Sequence, residues 1–372
     1  MFSARAIRQE RLARSTIASL STLIIVALAA LAPAVHAQTV VATIPVNYKP
    51  LGVGVNILTN EIYVASTLNS EGNVAVINGT TNAVIARIDT GVGTSAFKVA
   101  VNSVTNRIYV TNSAGSSVAV IDGRYNTVMT SIGVCGAGNP NHVAVNWWTN
   151  IVYVTCQYPS ALAVIDGRSN AVVTMVPLSA YVNNAGPVAV NIRTDRIYVG
   201  DTSGSNVVVL DGKTDSVIAT VPIAGSGYHL GLDVNPLTNM VYVSNDPIYG
   251  TPDYPNGSVS VINGTSSEVI ATVPVGPIPY GVGVEPRTNQ IYIANSVGTS
   301  NSSSVSVIDG TTNTVAATVP APAHAIDVAA NPWTRLVYVA EYYICKSSSC
   351  STDPNQNSVL VISETAPDQA SD

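Results

Sequence analysis

Three histidines in the body of this chain, His142, His229 and His324, lie one to four residues ahead of short apolar segments of the Val-Ala-Val-Asn type. Asp233, Asp327, Lys98, Tyr228 and Tyr280 fall in the same parts of the sequence. Imidazoles and carboxylates that converge in this way are suited to holding a divalent metal or to moving protons in acid–base chemistry. The candidate catalytic set is therefore His142, His229, His324, Asp233 and Asp327, and the matching activity is a hydrolase or lyase of small substrates. The bland alternative is three unrelated polar loop residues, since the histidines stand at different offsets. No resident cofactor is expected beyond such a metal. No Gly-x-Ser-x-Gly elbow, phosphate loop or Cys-x-x-Cys-His haem site occurs in the chain.

The elements that would have to position these groups repeat. The phrase Ile/Val-Tyr-Val/Ile recurs at Tyr63, Tyr109, Tyr153, Tyr198, Tyr242, Tyr292 and Tyr338, at spacings of 46, 44, 45, 44, 50 and 46 residues. Each repeat carries four short segments. The first is Val-Ala-Val-Asn or a variant with a small middle residue, as in Val99-Ala100-Val101-Asn102, which suits a strand crowded around an axis. The tyrosine segment follows. The third alternates apolar residues and ends in Asn-Gly or Asp-Gly, as at Asp122-Gly123, a strong hairpin signal. The fourth resembles Asp215-Ser216-Val217-Ile218-Ala219-Thr220-Val221.

A fixed period with four strands per unit predicts an all-β, seven-bladed β-propeller of four-stranded antiparallel blades. The seventh repeat lacks its fourth strand, and Thr39–Ile44 carries the missing pattern at the other end of the chain. The N-terminal strand is thus predicted to close the last blade and to remove the sheet edges that an open array would expose.

The Ile-Tyr-Val-Thr-Asn of residues 108–112 and the Val-Ile-Asp-Gly of residues 120–123 resemble the YVTN-repeat β-propellers. The resemblance runs over residues 39–364. It implies a seven-bladed protein of a cell surface or periplasm, and it specifies fold more than activity.

The ends and the composition agree with export. Arg5, Arg8, Arg11 and Arg14 precede an apolar run, and Val35-His36-Ala37 ends in a small residue. Residues 1–37 read as a secretory signal peptide, with a retained anchor as the alternative. Residues 38–364 are expected to form the propeller, and 365–372 a disordered polar tail. The chain holds 16 Lys and Arg against 22 Asp and Glu; the leader takes four and one of these, leaving 12 against 21, a net −9. With its basic residues scattered singly, such a chain argues against a nucleic-acid partner. Four cysteines in an exported chain predict two disulfides, Cys135–Cys156 and Cys345–Cys350.

A four-strand meander puts the link between blades and the second-to-third-strand loop on one face, here called upper. Those loops are longest in blades 5 and 7 and carry aromatic residues. The expected binding residues are Tyr249, Asp253, Tyr254, Tyr280, Tyr342 and Tyr343, with Lys98 at the adjoining channel mouth. The short turns of the lower face read as structural. Trp147-Trp148 and Trp333 fall there, as a cap on the core or a small sticky patch. The function expected from these features is an exported, monomeric, non-catalytic binding module. Its partner would be a protein or glycan of the cell envelope, and no membrane span would remain after the leader is cleaved.

Overall fold

The computed structural model describes residues 37–46, 48–68, 71–136, 138–223, 231–247, 256–297, 303–342 and 357–365. Gln38–Glu364 form one compact unit. Seven four-stranded antiparallel sheets make it up, six formed by one repeat each and the seventh completed by the N-terminal strand. In blade 1 the strands run from Lys49–Asn56 innermost, through Glu61–Leu68 and Glu71–Asn78, to Ala83–Val92 outermost. The inner strands of blades 2 to 7 are Ala96–Asn102, Pro140–Asn146, Ala185–Asn191, Leu232–Asn235, Pro279–Glu285 and His324–Asn331. Each inner strand contacts the next, and the seventh contacts the first, so the ring is closed. The outer strand of blade 7 is Ala37–Pro45, paired with Ser358–Thr365, as the missing fourth strand predicts. Among the described residues no helix is long and apolar enough to cross a membrane.

The recurring tyrosine explains why blades adhere. All seven rings are fully buried. Each packs into the core of the following blade, Tyr63 against Ile108 and Val110, Tyr153 against Ile197 and Val199, and Tyr338 against Ile62 and Val64 across the closing seam. Seven such inter-blade clusters carry the core. An aromatic side chain is the largest apolar surface a strand can bury, and each ring is worth on the order of 3–5 kcal/mol against truncation to Ala.

The disulfide Cys135–Cys156 forms, tying the link after blade 2 to the tyrosine strand of blade 3. Cys345 and Cys350 lie outside the described residues, as do residues 1–36 and 366–372, while Ala37 and Thr365, expected at the edges of leader and tail, lie in strands of blade 7.

Candidate functional site

The inner strands reach further up than the repeat pattern implies. Their pairing shifts register at a bulge, between Pro140 and Val143 in blade 3 and between Ala325 and Asp327 in blade 7, and continues beyond it. His142 and His324 therefore sit inside inner strands rather than ahead of them. They belong to different constellations. His142 is half-buried, with Nδ1 3.0 Å from Asn141 Oδ1 and its ring edge-on to Phe97 at 5.7 Å. His324 Nδ1 lies 2.9 Å from Ser296 Oγ of blade 6. Its ring stacks on Tyr342 at 5.6 Å, and Lys49 Nζ stands 4.0 Å over the far partner, Tyr342. His229, Tyr228, Tyr249, Asp253, Tyr254 and Tyr343 lie outside the described residues. Tyr280 is half-buried at the upper end of its strand, where its carbonyl accepts from Ser244 Oγ at 2.8 Å.

The carboxylates named from sequence line the channel. Lys98 Nζ of blade 2 meets Asp327 Oδ1 of blade 7 at 2.9 Å, so this pair spans the whole of blade 1. Gly52 occupies the equivalent place in blade 1, where a Cβ would sit 2.4 Å from Phe97 O and 2.9 Å from Lys98 Cα. The bare backbone is what lets the inner strands of blades 1 and 2 approach this closely beneath the pair. Asp327 Oδ2 also accepts from Val53 N–H at 3.0 Å. Asp233 accepts from its neighbour Val234 N–H at 2.8 Å and from Val284 N–H of blade 6 at 2.9 Å. Both carboxylates thus satisfy edge N–H groups of the next inner strand, which has no ladder partner on the channel side. Burial pushes the Asp233 carboxyl up to about 6 against the pull of those two N–H groups, and the charge of Asp327 adds to the rise. Among the described residues no group of three His, Cys, Asp or Glu stands close enough to hold a metal ion.

The lower mouth is built from the first-to-second-strand turns. Each inner strand ends in Asn in six of the seven blades, and that Asn works in two directions. Its Oδ1 accepts the N–H of the residue two further on: Leu58, Val104, Trp148, Arg193, Leu237 and Trp333, at 2.9–3.1 Å. Its Nδ2 donates to Oδ1 of the Asn or Asp that closes the next blade's turn. Those closing residues have φ of 51–59°, the left-handed region that Asn and Asp tolerate. The seventh link, from blade 6 to blade 7, departs from the rule. Glu285 replaces the Asn and Arg335, at φ 56°, replaces the turn-closing Asn. Glu285 Oε2 accepts from Thr288 N–H and from Thr288 Oγ1, the latter at 2.6 Å.

These pinned turns enclose a cavity of about 870 Å³ at the lower mouth. Its floor is half-buried: Ile57, Trp147, Ile192, Pro236, Pro286 and Pro332. Its rim is Trp148, Arg193, Leu237, Arg287 and Trp333, one from each of blades 3 to 7. Leu58 and Val104 hold the same place in blades 1 and 2. Five of these seven equivalent positions thus carry large apolar side chains, 50–78% exposed. The Arg287 guanidinium lies 5.0 Å over the Trp333 ring. Sequence reading assigned these turns to structure. Aligning the seven turns in register is the signal that brings the apolar ring out.

The chain is similar in structure to Kuenenia stuttgartiensis hydrazine synthase, with a TM-score of 0.69 and 17% identity over 86% of this chain and 96% of that one. At that identity the likeness is one of fold. Some 1521 chains of solved structures match, so the fold does not single out an activity. Neither a protein-family model nor a curated protein matches the chain.

Proposed function

We propose that the protein is an exported, non-catalytic propeller of the YVTN-repeat kind that serves as a binding module at the cell envelope or outside the cell, with the lower mouth as its binding surface. The observation that carries this reading is the lower cavity. It is concave, rigidly supported by hydrogen-bonded turns and walled by aromatic, proline and aliphatic side chains, with two cations on its rim. Ligand sites have this make-up and fall in this range of size. The Cys135–Cys156 disulfide supports export, because such bonds persist in oxidising compartments.

The alternative is a hydrolase or lyase acting through the upper channel. The two channel carboxylates speak for structure instead. Asp327 is held by Lys98 and a backbone N–H, and Asp233 by two backbone N–H groups. The two readings separate in a thermal-shift screen of fractions from the native envelope, since a ligand that binds the folded state raises the melting temperature. The expected result is a fraction that stabilises the wild type and fails to stabilise the Trp148→Ser/Trp333→Ser variant. A compound that the wild type converts catalytically, with turnover lost in Asp327→Asn, would replace this reading with the enzyme.

A further inference from the structure

We infer that the lower cavity takes a small amphipathic anion from solution, with an aromatic or aliphatic body on the tryptophan wall and an acidic group between Arg193 and Arg287. This rests on reading the lower mouth as a binding surface and names the chemistry of its ligand.

The arrangement of the rim carries the argument. Going round from blade 3 to blade 7 the equivalent positions read Trp148, Arg193, Leu237, Arg287, Trp333. The two cations flank blade 5, and a tryptophan stands outside each. Arg193 and Arg287 are exposed, and among the described residues neither forms an ion pair. Arg287 is steadied along the rim by the Trp333 ring and by Pro332 O at 3.4 Å. Two unpaired guanidiniums on one arc of an otherwise apolar bowl complement a carboxylate, sulfonate or phosphate with an apolar body. The bowl is formed on an acidic chain, net −6, so the local positive arc is not a by-product of overall charge.

Shape favours a small ligand over a flat surface. The floor, with Pro236, Pro286 and Pro332, lies behind the exposed tips of Trp148 and Trp333. A membrane would rest on the tips and leave the floor empty. Proline lacks a backbone N–H and has a fixed φ, so three of the six floor positions add no amide donor and little freedom to collapse. Such a preformed apolar floor lowers the ordering cost of binding.

The molecule supplies its own reporter. The chain has three tryptophans, and all three line this cavity. The experiment titrates the folded protein with 1-anilinonaphthalene-8-sulfonate and with its neutral analogue N-phenyl-1-naphthylamine, following tryptophan fluorescence. The sulfonate is expected to quench saturably at one site per chain, with affinity roughly tenfold or more above the neutral compound. Arg193→Gln/Arg287→Gln, folded by circular dichroism, is expected to bring the sulfonate down to the level of the neutral analogue and leave the analogue unchanged. Equal affinities for the two probes, non-saturating uptake, or an unaffected arginine variant would overturn the inference. So would quenching by phosphatidylglycerol vesicles without quenching by the free sulfonate, which would make the face a membrane contact. If these probes fail while an envelope fraction still stabilises the wild type through Trp148 and Trp333, the binding module stands and only the ligand class falls.

Discussion

Asn331 donates Nδ2–H to Asn60 Oδ1 at 2.9 Å across 271 residues of sequence, the same bond that Asn191 makes to Asn239 at 2.7 Å between consecutive blades. The seam between blades 7 and 1 is therefore latched like the others, while the N-terminal and C-terminal strands meet inside blade 7, and the same asparagines orient the turns that carry the lower rim.

That equivalence is testable. Asn331→Asp keeps the acceptor that holds Trp333 N–H but removes the donor, and it sets two oxygens face to face. A loss of about 1–3 kcal/mol in denaturant unfolding is expected, and Asn191→Asp should lose the same amount. A negligible effect at Asn331 beside a full effect at Asn191 would mean that the seam between blades 7 and 1 is not shut in solution.

The seam between blades 6 and 7 lacks the Asn link and is tied instead by Thr288 Oγ1, which donates to Glu364 Oε2 at 3.3 Å, and by the Tyr292 hydroxyl, which donates to Glu364 Oε1. Glu285 Oε1 is buried and finds no hydrogen-bond partner among the described residues, and Arg335 occupies a left-handed φ of 56° without the short polar side chain that eases it. Glu285→Asn/Arg335→Asn rebuilds the link found at the other six seams. The double variant is expected to unfold at higher denaturant, with a coupling of roughly 0.5–1.5 kcal/mol beyond the sum of the single variants. Simple additivity would show that the link did not form.

The propeller was legible because each blade repeats its physics. Tyr63 and its six counterparts bury one ring per seam, and the orphan strand at Thr39–Ile44 has only one sheet edge to fill. Cys135 and Cys156 were legible as two strand ends on one face. The upper mouth was legible only as a list of residues. Lys98 and Asp327 stand five blades apart in sequence order and only two apart around the ring, and nothing in either residue says that they pair across blade 1. The bulges that draw His142 and His324 into strands depend on register, which a motif does not show. The lower bowl stayed hidden because Trp148, Leu237 and Trp333 each look like one exposed residue in a turn, and only the ring makes them neighbours.

A buried acid in blade 7 makes stability depend on pH. Glu341 is fully buried, accepts from Ser358 Oγ at 3.3 Å, and has its other oxygen unpartnered among the described residues. Burial pushes its carboxyl up from 4.5 to about 8, against that hydrogen bond. A raised carboxyl favours the protonated folded state. Its contribution is therefore complete below about pH 4.5 and is lost as pH rises through about 8, at no more than about 1.4 kcal/mol per pH unit. Asp233 acts in the same direction between about 3.8 and about 6. Glu341→Gln should match the wild type near pH 4, exceed it progressively to about pH 8 and level off above that. Parallel stability curves over that range would place the Glu341 carboxyl in water.

The most direct measurement compares two folded variants for binding of the stabilising envelope fraction. One is Trp148→Ser/Trp333→Ser at the lower rim, and the other is Lys49→Ser/Tyr342→Ser at the upper stack. The expected result is that the lower variant loses the ligand-induced rise in melting temperature and the upper variant keeps it. Loss in the upper variant alone would put the functional face on the side of His324 and Tyr342 and contradict the assignment to the lower mouth.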